Sequence, residues 1–171
     1  LPVFASLPYM VLRPSDRTTI SLLLLGMIDL GSLFFILLVP IMVTVVTNTY
    51  NQLGGLNGLE SLTGLVVLIG LSIVSGNFIL TIVPTLCLIF LAYLSYNGKV
   101  FIGNVGTFSI GLTLAVYSVL MSVKLFLLIC LAPHIVNSLL VLFSNYVLND
   151  RADTLIDGSG RLYSSKVRSL R

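Results

Sequence analysis

Two polar clusters in an otherwise apolar chain hold the residue types best suited to chemistry. The first contains Asn48, Asn51 and Asn57 and ends at Glu60, and the second is the run Gly103-Asn104-Val105-Gly106-Thr107. Polar groups beside lipid are costly unless they are paired or have a function. Amide oxygens coordinate hard cations, and amides also hydrogen-bond the edge of a base. Two such clusters at the ends of membrane helices predict a site at the membrane surface.

Each cluster also has a purely structural interpretation. Asn48 and Asn51 are spaced i, i+3 and share a helix face, where asparagines often hydrogen-bond a neighbouring helix. Residues 57–60 suit a polar turn that caps two helices, and the second cluster suits a loop with a helix N-cap at Thr107. Taken together on one face, the clusters favour a small-anion or metal-assisted site. A helix beginning at Thr107 would also favour phosphate.

The composition is that of an integral membrane protein. Of the 171 residues, 57% are hydrophobic and 9% are charged, and the mean hydropathy is +1.09. A soluble domain carries about 25% charged residues. The net charge is +3, but the bases cluster in the C-terminal tail beside a helix end. That placement indicates membrane orientation or contact with an anion, and not nucleic-acid binding.

The apolar segments predict an all-α, polytopic bundle of transmembrane helices. We expect about five complete spans, at 31–50 with a kink at Pro40, 61–75, 78–96, 107–123 and 125–148. A sixth, truncated span at 1–12 indicates that the chain begins inside a helix and that an N-terminal part is missing. The interrupted stretch 20–30 suits a short extended or re-entrant piece. Residues 1–148 form the membrane region, with active-site loops at 48–60 and 97–107, and residues 149–171 form a basic tail.

Charge counting orients this bundle. Both polar loops and the tail fall on one face, which carries Lys99 and five tail bases, namely Arg151, Arg161, Lys166, Arg168 and Arg171. The opposite face carries Arg13, Arg17 and Lys124. Since positive residues accumulate on the cytoplasmic side, both clusters are predicted to be cytoplasmic.

The spacing of both clusters resembles a known enzyme family. Asn48-x-x-Asn51-x-x-x-Gly55-x-Asn57-Gly58-x-Glu60 resembles the asparagine-rich motif of the polyprenyl-phosphate N-acetylhexosamine-1-phosphate transferases. Phe101-Ile-Gly103-Asn104-Val-Gly106-Thr107 resembles that family's Phe-x-Gly-Asp motif. The Asn-Gly-x-Glu form is similar to the eukaryotic and archaeal branch, which acts on dolichyl phosphate. The resemblance therefore implies an integral protein of the archaeal cell membrane or the endoplasmic reticulum.

The resemblance implies a reaction and a role for each matching residue. An oxygen of the lipid phosphate would attack the β-phosphorus of UDP-N-acetylglucosamine, and UMP would leave. Asn51 would help hold Mg²⁺, and Asn104 occupies the position of a metal-binding aspartate. Asn57 would hydrogen-bond the uracil, and Phe101 would stack on it. Further substrate contacts are expected from Asn48, Glu60, Gly103 and Arg151. The implied partners are a UDP-sugar, a polyprenyl (dolichyl) phosphate and membrane lipid, with no nucleic acid and with a homodimer left open.

Two departures from the family pattern keep alternatives open. Asn104 replaces an aspartate and removes a negative charge beside the metal. The family's paired aspartates have no match, because none of the six acids adjoins another. The chain alone is therefore expected to be inactive. A membrane transporter and a catalytically impaired relative of the transferases remain the alternatives.

Four further residue types are assigned structural roles. His134 follows Pro133 inside the last span and is expected to pack in the bundle. Lys124 is expected to extend toward the far membrane surface. Asp29 precedes a span and is expected to cap its N-terminus. Both cysteines, Cys87 and Cys130, lie in apolar segments and are expected to pack against lipid or within the bundle.

Overall fold

The computed structural model describes residues 2–12, 18–22, 26–53, 57–147, 155–156, 158 and 162–163. The α-helices are α1 (Leu7–Leu12), α2 (Val39–Asn51), α3 (Leu59–Ser75), α4 (Ile82–Tyr96), α5 (Gly103–Leu120), α6 (Lys124–Cys130) and α7 (Ala132–Tyr146). Short 3-10 turns at Pro2–Ser6 and Ile79–Thr81 lead into α1 and α4, and a π-helical turn at Phe34–Leu38 leads into α2. The strands are β1 (Thr19–Leu22), β2 (Gly26–Asp29), β3 (Leu155–Ile156) and β4 (Leu162–Tyr163).

Apolar helices dominate the fold, as the sequence predicts for a membrane protein. Among the described residues, three helical segments are long and apolar enough to span a bilayer, at Phe34–Asn51, Ile79–Tyr96 and Gly103–Leu120. The pair α6 and α7, bent by 60° at a short break, brings the number to four. The apolar helix α3 has 17 residues and falls short of that length. The helical membrane fold is confirmed, whereas five complete spans and a truncated one are not.

The kink expected at Pro40 takes the form of a π-helical turn. Proline has no N–H, and its ring crowds the carbonyl one turn earlier, so the preceding residues cannot keep the regular α pattern. The Val39 N–H donates to the Phe34 carbonyl, five residues back, which is a π-type bond. The irregularity is thus placed before the proline, and α2 continues undisturbed to Asn51.

A β-hairpin fills the stretch that the sequence marks as extended or re-entrant. β1 and β2 pair antiparallel, with Thr19 opposite Asp29 and Leu22 opposite Gly26. β3 and β4 form a second antiparallel pair in the tail. The extended alternative is confirmed, and these strands depart from the all-α prediction. In an antiparallel pair the backbone groups of each strand satisfy one another, which a short segment between helices needs.

Asp29 closes the hairpin, and the prediction that it caps the following helix is wrong. Its carboxylate accepts hydrogen bonds from the Thr18 hydroxyl and from the Gly31 N–H, the latter at 3.0 Å. The residue at the start of the helical turn, Leu33, has no side-chain cap. The Thr18 hydroxyl first, and the Gly31 N–H second, hold the pKa of Asp29 below its ordinary value.

Helix α2 lies at the centre of the bundle and packs most closely against α5. At Gly111 of α5, an added Cβ would come within 2.9 Å of the Thr47 Cα and 3.2 Å of the Tyr50 Cβ. Any larger residue would force the two backbones apart. The side chains buried around this contact include Val43, Val46 and Leu114. The close approach of α2 and α5 brings together the ends of the two helices that carry the polar clusters.

The last predicted span is two helices, and Lys124 at its start is buried in the protein. Pro133 lies in the first turn of α7, where its missing N–H is tolerated, and the break falls just before it at Leu131. Lys124 is 8% exposed, with its Nζ 4.3 Å from the centre of the Phe34 ring. The prediction that Lys124 extends to the far surface is therefore wrong. An aromatic face attracts a buried ammonium group.

Candidate functional site

A side-chain hydrogen bond joins the two polar clusters. The Thr107 hydroxyl lies 2.7 Å from the Asn51 Oδ1, although the two residues are 56 positions apart in the chain. Thr107 is buried, and Asn51 is half-buried in the last turn of α2. Since an amide oxygen has two lone pairs, Asn51 can accept this bond and still face a second partner. The clusters therefore form one region where α2 ends and α5 begins.

Helix α5 begins at Gly103, so the N-cap predicted at Thr107 is wrong. Gly103 has φ +60°, a conformation that glycine adopts without strain. Thr107 lies in the second turn, and its hydroxyl is also 3.0 Å from the Asn104 carbonyl and 3.2 Å from the Gly103 carbonyl. The whole Gly103–Gly106 run is then the first turn of the helix. The Gly106 N–H donates to the carbonyl of the N-cap residue Ile102 at 3.3 Å, whereas the N–H groups before it in a first turn have no acceptor one turn earlier in the helix.

Asn48 lies one turn before Asn51 on α2 and is exposed. Its Nδ2 donates to the Thr44 carbonyl at 2.8 Å. This bond ties the amide to its own helix. Among the described residues, Asn51 makes a bond between helices, to Thr107, whereas the bond of Asn48 stays within α2.

The turn at Asn57 and Gly58 packs against the end of α4. Gly58 has φ +81°, and its N–H donates to the Ser95 Oγ at 3.1 Å. A Cβ on Gly58 would lie 3.4 Å from the Tyr96 Cα. Asn57 is exposed, and its Nδ2 is near Gly98, where an added Cβ would be 3.8 Å away. The turn is held through its backbone, which leaves the Asn57 amide at the surface.

Glu60 is buried, unlike the exposed asparagines of the site. It lies in the first turn of α3 and is 5% exposed. A negative side chain in a first turn is favoured by the helix dipole. Its backbone carbonyl accepts a 2.6 Å hydrogen bond from the Tyr50 hydroxyl. Glu60 thus connects the start of α3 to the end of α2 beneath the exposed asparagines.

Phe101 and Asn104 are exposed on either side of Gly103. The Phe101 side chain is 83% exposed, and its ring carbons lie 3.6 Å from where a Gly103 Cβ would be. Asn104 is exposed in the first turn of α5. An exposed aromatic face beside an exposed amide can stack on and hydrogen-bond a planar heterocycle.

Two predicted parts of the site lie outside the described residues. These are Arg151 and the segment 54–56, which includes Gly55. Within the described part of the chain, no group of three or more histidine, cysteine, aspartate or glutamate side chains is placed to hold a metal ion. The metal ligands expected from the sequence among the described residues are Asn51 and Asn104, and each offers an amide oxygen.

Helix α7 contributes contacts that the sequence analysis missed. The His134 ring stacks on the Tyr50 ring, with centroids 5.6 Å apart and planes inclined by 18°. The Ser138 hydroxyl donates to the Gln52 Oε1 at 2.7 Å. The buried face of α7 carries His134, Asn137, Ser138, Val141 and Ser144. Their spacing of three to four residues is a signal from which a polar inward face could have been predicted.

The chain matches one protein family and two relatives that share one name. The chain matches the glycosyl transferase family 4 over residues 1–122. A protein of Saccharolobus solfataricus is 32% identical over 173 residues, covering 95% of this chain and 52% of the relative. A protein of Sulfolobus acidocaldarius is 32% identical over 120 residues, covering 65% of this chain and 36% of the relative. Both carry the provisional name UDP-N-acetylglucosamine–dolichyl-phosphate N-acetylglucosaminephosphotransferase.

Both relatives are longer than the region that they share with this chain. The chain spans about half the length of the Saccharolobus protein and a smaller share of the Sulfolobus protein. No solved structure matches the chain significantly.

Proposed function

The chain belongs to glycosyl transferase family 4, and on that premise we propose that its protein transfers N-acetylglucosamine 1-phosphate from UDP-N-acetylglucosamine to a polyprenyl phosphate of the dolichyl type. The Asn51–Thr107 hydrogen bond is the observation that carries the proposal, because it unites the two motifs that the reaction requires. A lipid phosphate oxygen forms a bond to the β-phosphorus, the bond from that phosphorus to UMP breaks, and UMP leaves. The product begins a lipid-linked glycan, as in N-glycosylation.

The uridine is assigned to the exposed residues of the site. Asn57 presents its amide at the surface of the turn and hydrogen-bonds the uracil edge. Phe101, with 83% of its side chain exposed, stacks on the uracil face. Stacking of a base on an aromatic side chain contributes about 1–3 kcal/mol. Asn48, exposed one turn before Asn51, and Gly103, at the start of α5, are proposed to contact the nucleotide sugar or diphosphate.

Mg²⁺ is the metal that the proposed chemistry calls for, and the amide oxygens of Asn51 and Asn104 fit it as part of a ligand set. Mg²⁺ accepts carbonyl, carboxylate and water oxygens. When bound, it neutralises the phosphate charge that develops during transfer. Asn51 is already oriented by Thr107, so its remaining lone pair is fixed in direction. Both amides are neutral, so neither supplies negative charge to the metal, and the diphosphate is proposed to supply it.

The charged residues of the proposal have supporting roles. Glu60 is buried and stabilises the start of α3 beside the Asn57 turn. Arg151, which lies outside the described residues, grips the diphosphate. With Lys99 and the tail bases on the same face, this side of the membrane is assigned to the cytoplasm. We also propose that α3, at 17 residues, crosses the membrane, because spans range down to about 17 residues.

The test is UMP release by the intact protein in membranes. Release from UDP-N-acetylglucosamine that requires both polyprenyl phosphate and Mg²⁺ is the expected result. Asn57→Ala should abolish nucleotide binding, while Asn77→Ala, an asparagine beyond the opposite end of α3, should not. A well-expressed protein that releases no UMP would contradict the transferase. Labelling of a cysteine at position 51 from both sides of the membrane would instead favour the transporter alternative.

A further inference from the structure

Tyr50 is the point where four helices meet beneath the site. It is 0% exposed, and its hydroxyl lies 2.6 Å from the Glu60 carbonyl and 2.9 Å from the Thr63 Oγ1 of α3. Glycines make room for it on two sides. An added Cβ would lie 2.8 Å from the Tyr50 hydroxyl at Gly64 and 3.2 Å from the Tyr50 Cβ at Gly111. The fourth side of Tyr50 is the His134 ring of α7.

The histidine makes its described contact through the face of the ring. His134 is 9% exposed, and both ring nitrogens are buried without a hydrogen-bond partner among the described residues. A buried polar group without a partner is costly, and a phenyl ring of similar shape would avoid that cost. Within the described part of the chain, the nitrogens thus make no hydrogen bond that holds α7 in place. The contact that the ring does make is its stack on Tyr50.

One turn further along α7, a second contact reaches the same end of α2. Ser138 is buried and donates to the Gln52 Oε1 at 2.7 Å. Tyr50 and Gln52 are the two neighbours of Asn51 in the chain. Helix α7 therefore holds the residues on both sides of Asn51, while α5 holds Asn51 itself through Thr107.

We infer that His134 and Ser138 are positioning residues for Asn51, acting through Tyr50 and Gln52 to set the direction of the Asn51 amide in the Mg²⁺-dependent nucleotide site. The inference deepens the proposed function and rests on it. Neither residue contacts substrate. Groups that orient a metal ligand without touching the metal typically change metal affinity about 10–100-fold when they are removed.

The experiment measures UDP-N-acetylglucosamine binding by the intact protein in detergent across a Mg²⁺ titration, together with the thermal midpoint of each variant. His134→Ala removes the stack and should raise the Mg²⁺ concentration for half-maximal binding about tenfold. His134→Phe keeps a ring against Tyr50 and should restore the wild-type value. Ser138→Ala should raise the Mg²⁺ concentration for half-maximal binding severalfold. This second variant tests the inference if His134→Ala fails to fold.

Tyr117→Phe is the matched control for lost stability alone. Tyr117 is buried, and its hydroxyl lies 2.6 Å from the Ser75 Oγ and 2.5 Å from the Asn77 carbonyl, beyond the opposite end of α3 from Glu60. The Tyr117→Phe variant should have a lower thermal midpoint and an unchanged Mg²⁺ dependence of nucleotide binding. If His134→Ala and Ser138→Ala behave in the same way, the inference is overturned while the transferase stands. If the wild type shows no Mg²⁺-dependent binding, the proposed function falls, and the inference falls with it.

Discussion

The Thr107 hydroxyl lies 2.7 Å from the Asn51 amide oxygen and connects the first turns of α5 to the last turn of α2. Each residue belongs to a different polar cluster, so this contact turns two motifs into one region. The contact is possible because Gly111 allows α2 and α5 to approach closely further along their length. The geometry of the candidate site thus depends on packing well inside the bundle.

Removing the Thr107 hydroxyl should release Asn51. Thr107→Val keeps the shape of the side chain but leaves the Asn51 oxygen without its donor, and such a loss costs about 1–3 kcal/mol in a buried setting. We expect about tenfold weaker Mg²⁺-dependent binding of UDP-N-acetylglucosamine, measured by calorimetry. Thr113→Val is the control, because the Thr113 hydroxyl bonds the Ser109 carbonyl of its own helix. Equal affinities for both variants would contradict a role for the Thr107–Asn51 bond.

Gly111 should tolerate no side chain. In Gly111→Ala the new Cβ would meet the Thr47 Cα at 2.9 Å, and backbone cannot move aside cheaply. We expect the free energy of unfolding to fall by about 1–3 kcal/mol. Denaturant titration in detergent measures this loss. In the control Gly70→Ala, the Cβ meets the Phe126 ring at 3.5 Å, an ordinary contact. That variant should be neutral or gain helix stability of up to about 1 kcal/mol.

A negative charge at position 104 should strengthen the metal site. Asn104→Asp adds a carboxylate, which binds Mg²⁺ better than an amide oxygen. The Mg²⁺ concentration for half-maximal UMP release should fall, and a large gain in turnover would identify the natural site as impaired. Asn97→Asp adds the same charge at an exposed position just after α4, and its present amide donates to the Tyr93 carbonyl. Should both variants respond alike, Asn104 would have no specific place beside the metal.

Asp29 should titrate below an ordinary aspartate. Bonds from the Thr18 hydroxyl and the Gly31 N–H favour the charged form in the folded state and hold the pKa down. A lowered folded pKa means that the carboxylate stabilises the hairpin above the unfolded pKa of about 3.9, and that this contribution is lost as the pH falls through the folded value. Carboxyl carbon NMR should detect the low pKa, and Thr18→Val should raise it. An unchanged pKa in Thr18→Val would refute the role of that hydroxyl.

Local sequence features were enough to predict the membrane class, the helix ends near Tyr96 and Ser75, and the two polar clusters. Long apolar runs leave few options to a chain in lipid, since every backbone polar group must be satisfied within a helix or a closed sheet. The motif spacing was also enough to indicate the family that the comparisons then supported. These properties depend on neighbouring residues, so they can be read along the chain.

The structure alone decided how the helices meet. It placed the start of α5 at Gly103 instead of Thr107, because a glycine with positive φ can open the helix four residues earlier. It buried Lys124 against Phe34, and it set His134 on Tyr50 and Ser138 on Gln52. Each of these contacts joins residues far apart in the chain, and the stack of His134 on Tyr50 lies where Gly64 and Gly111 leave room for the Tyr50 side chain. Spacing along one helix predicts which residues share a face, but the partner of that face is settled only when the whole bundle packs.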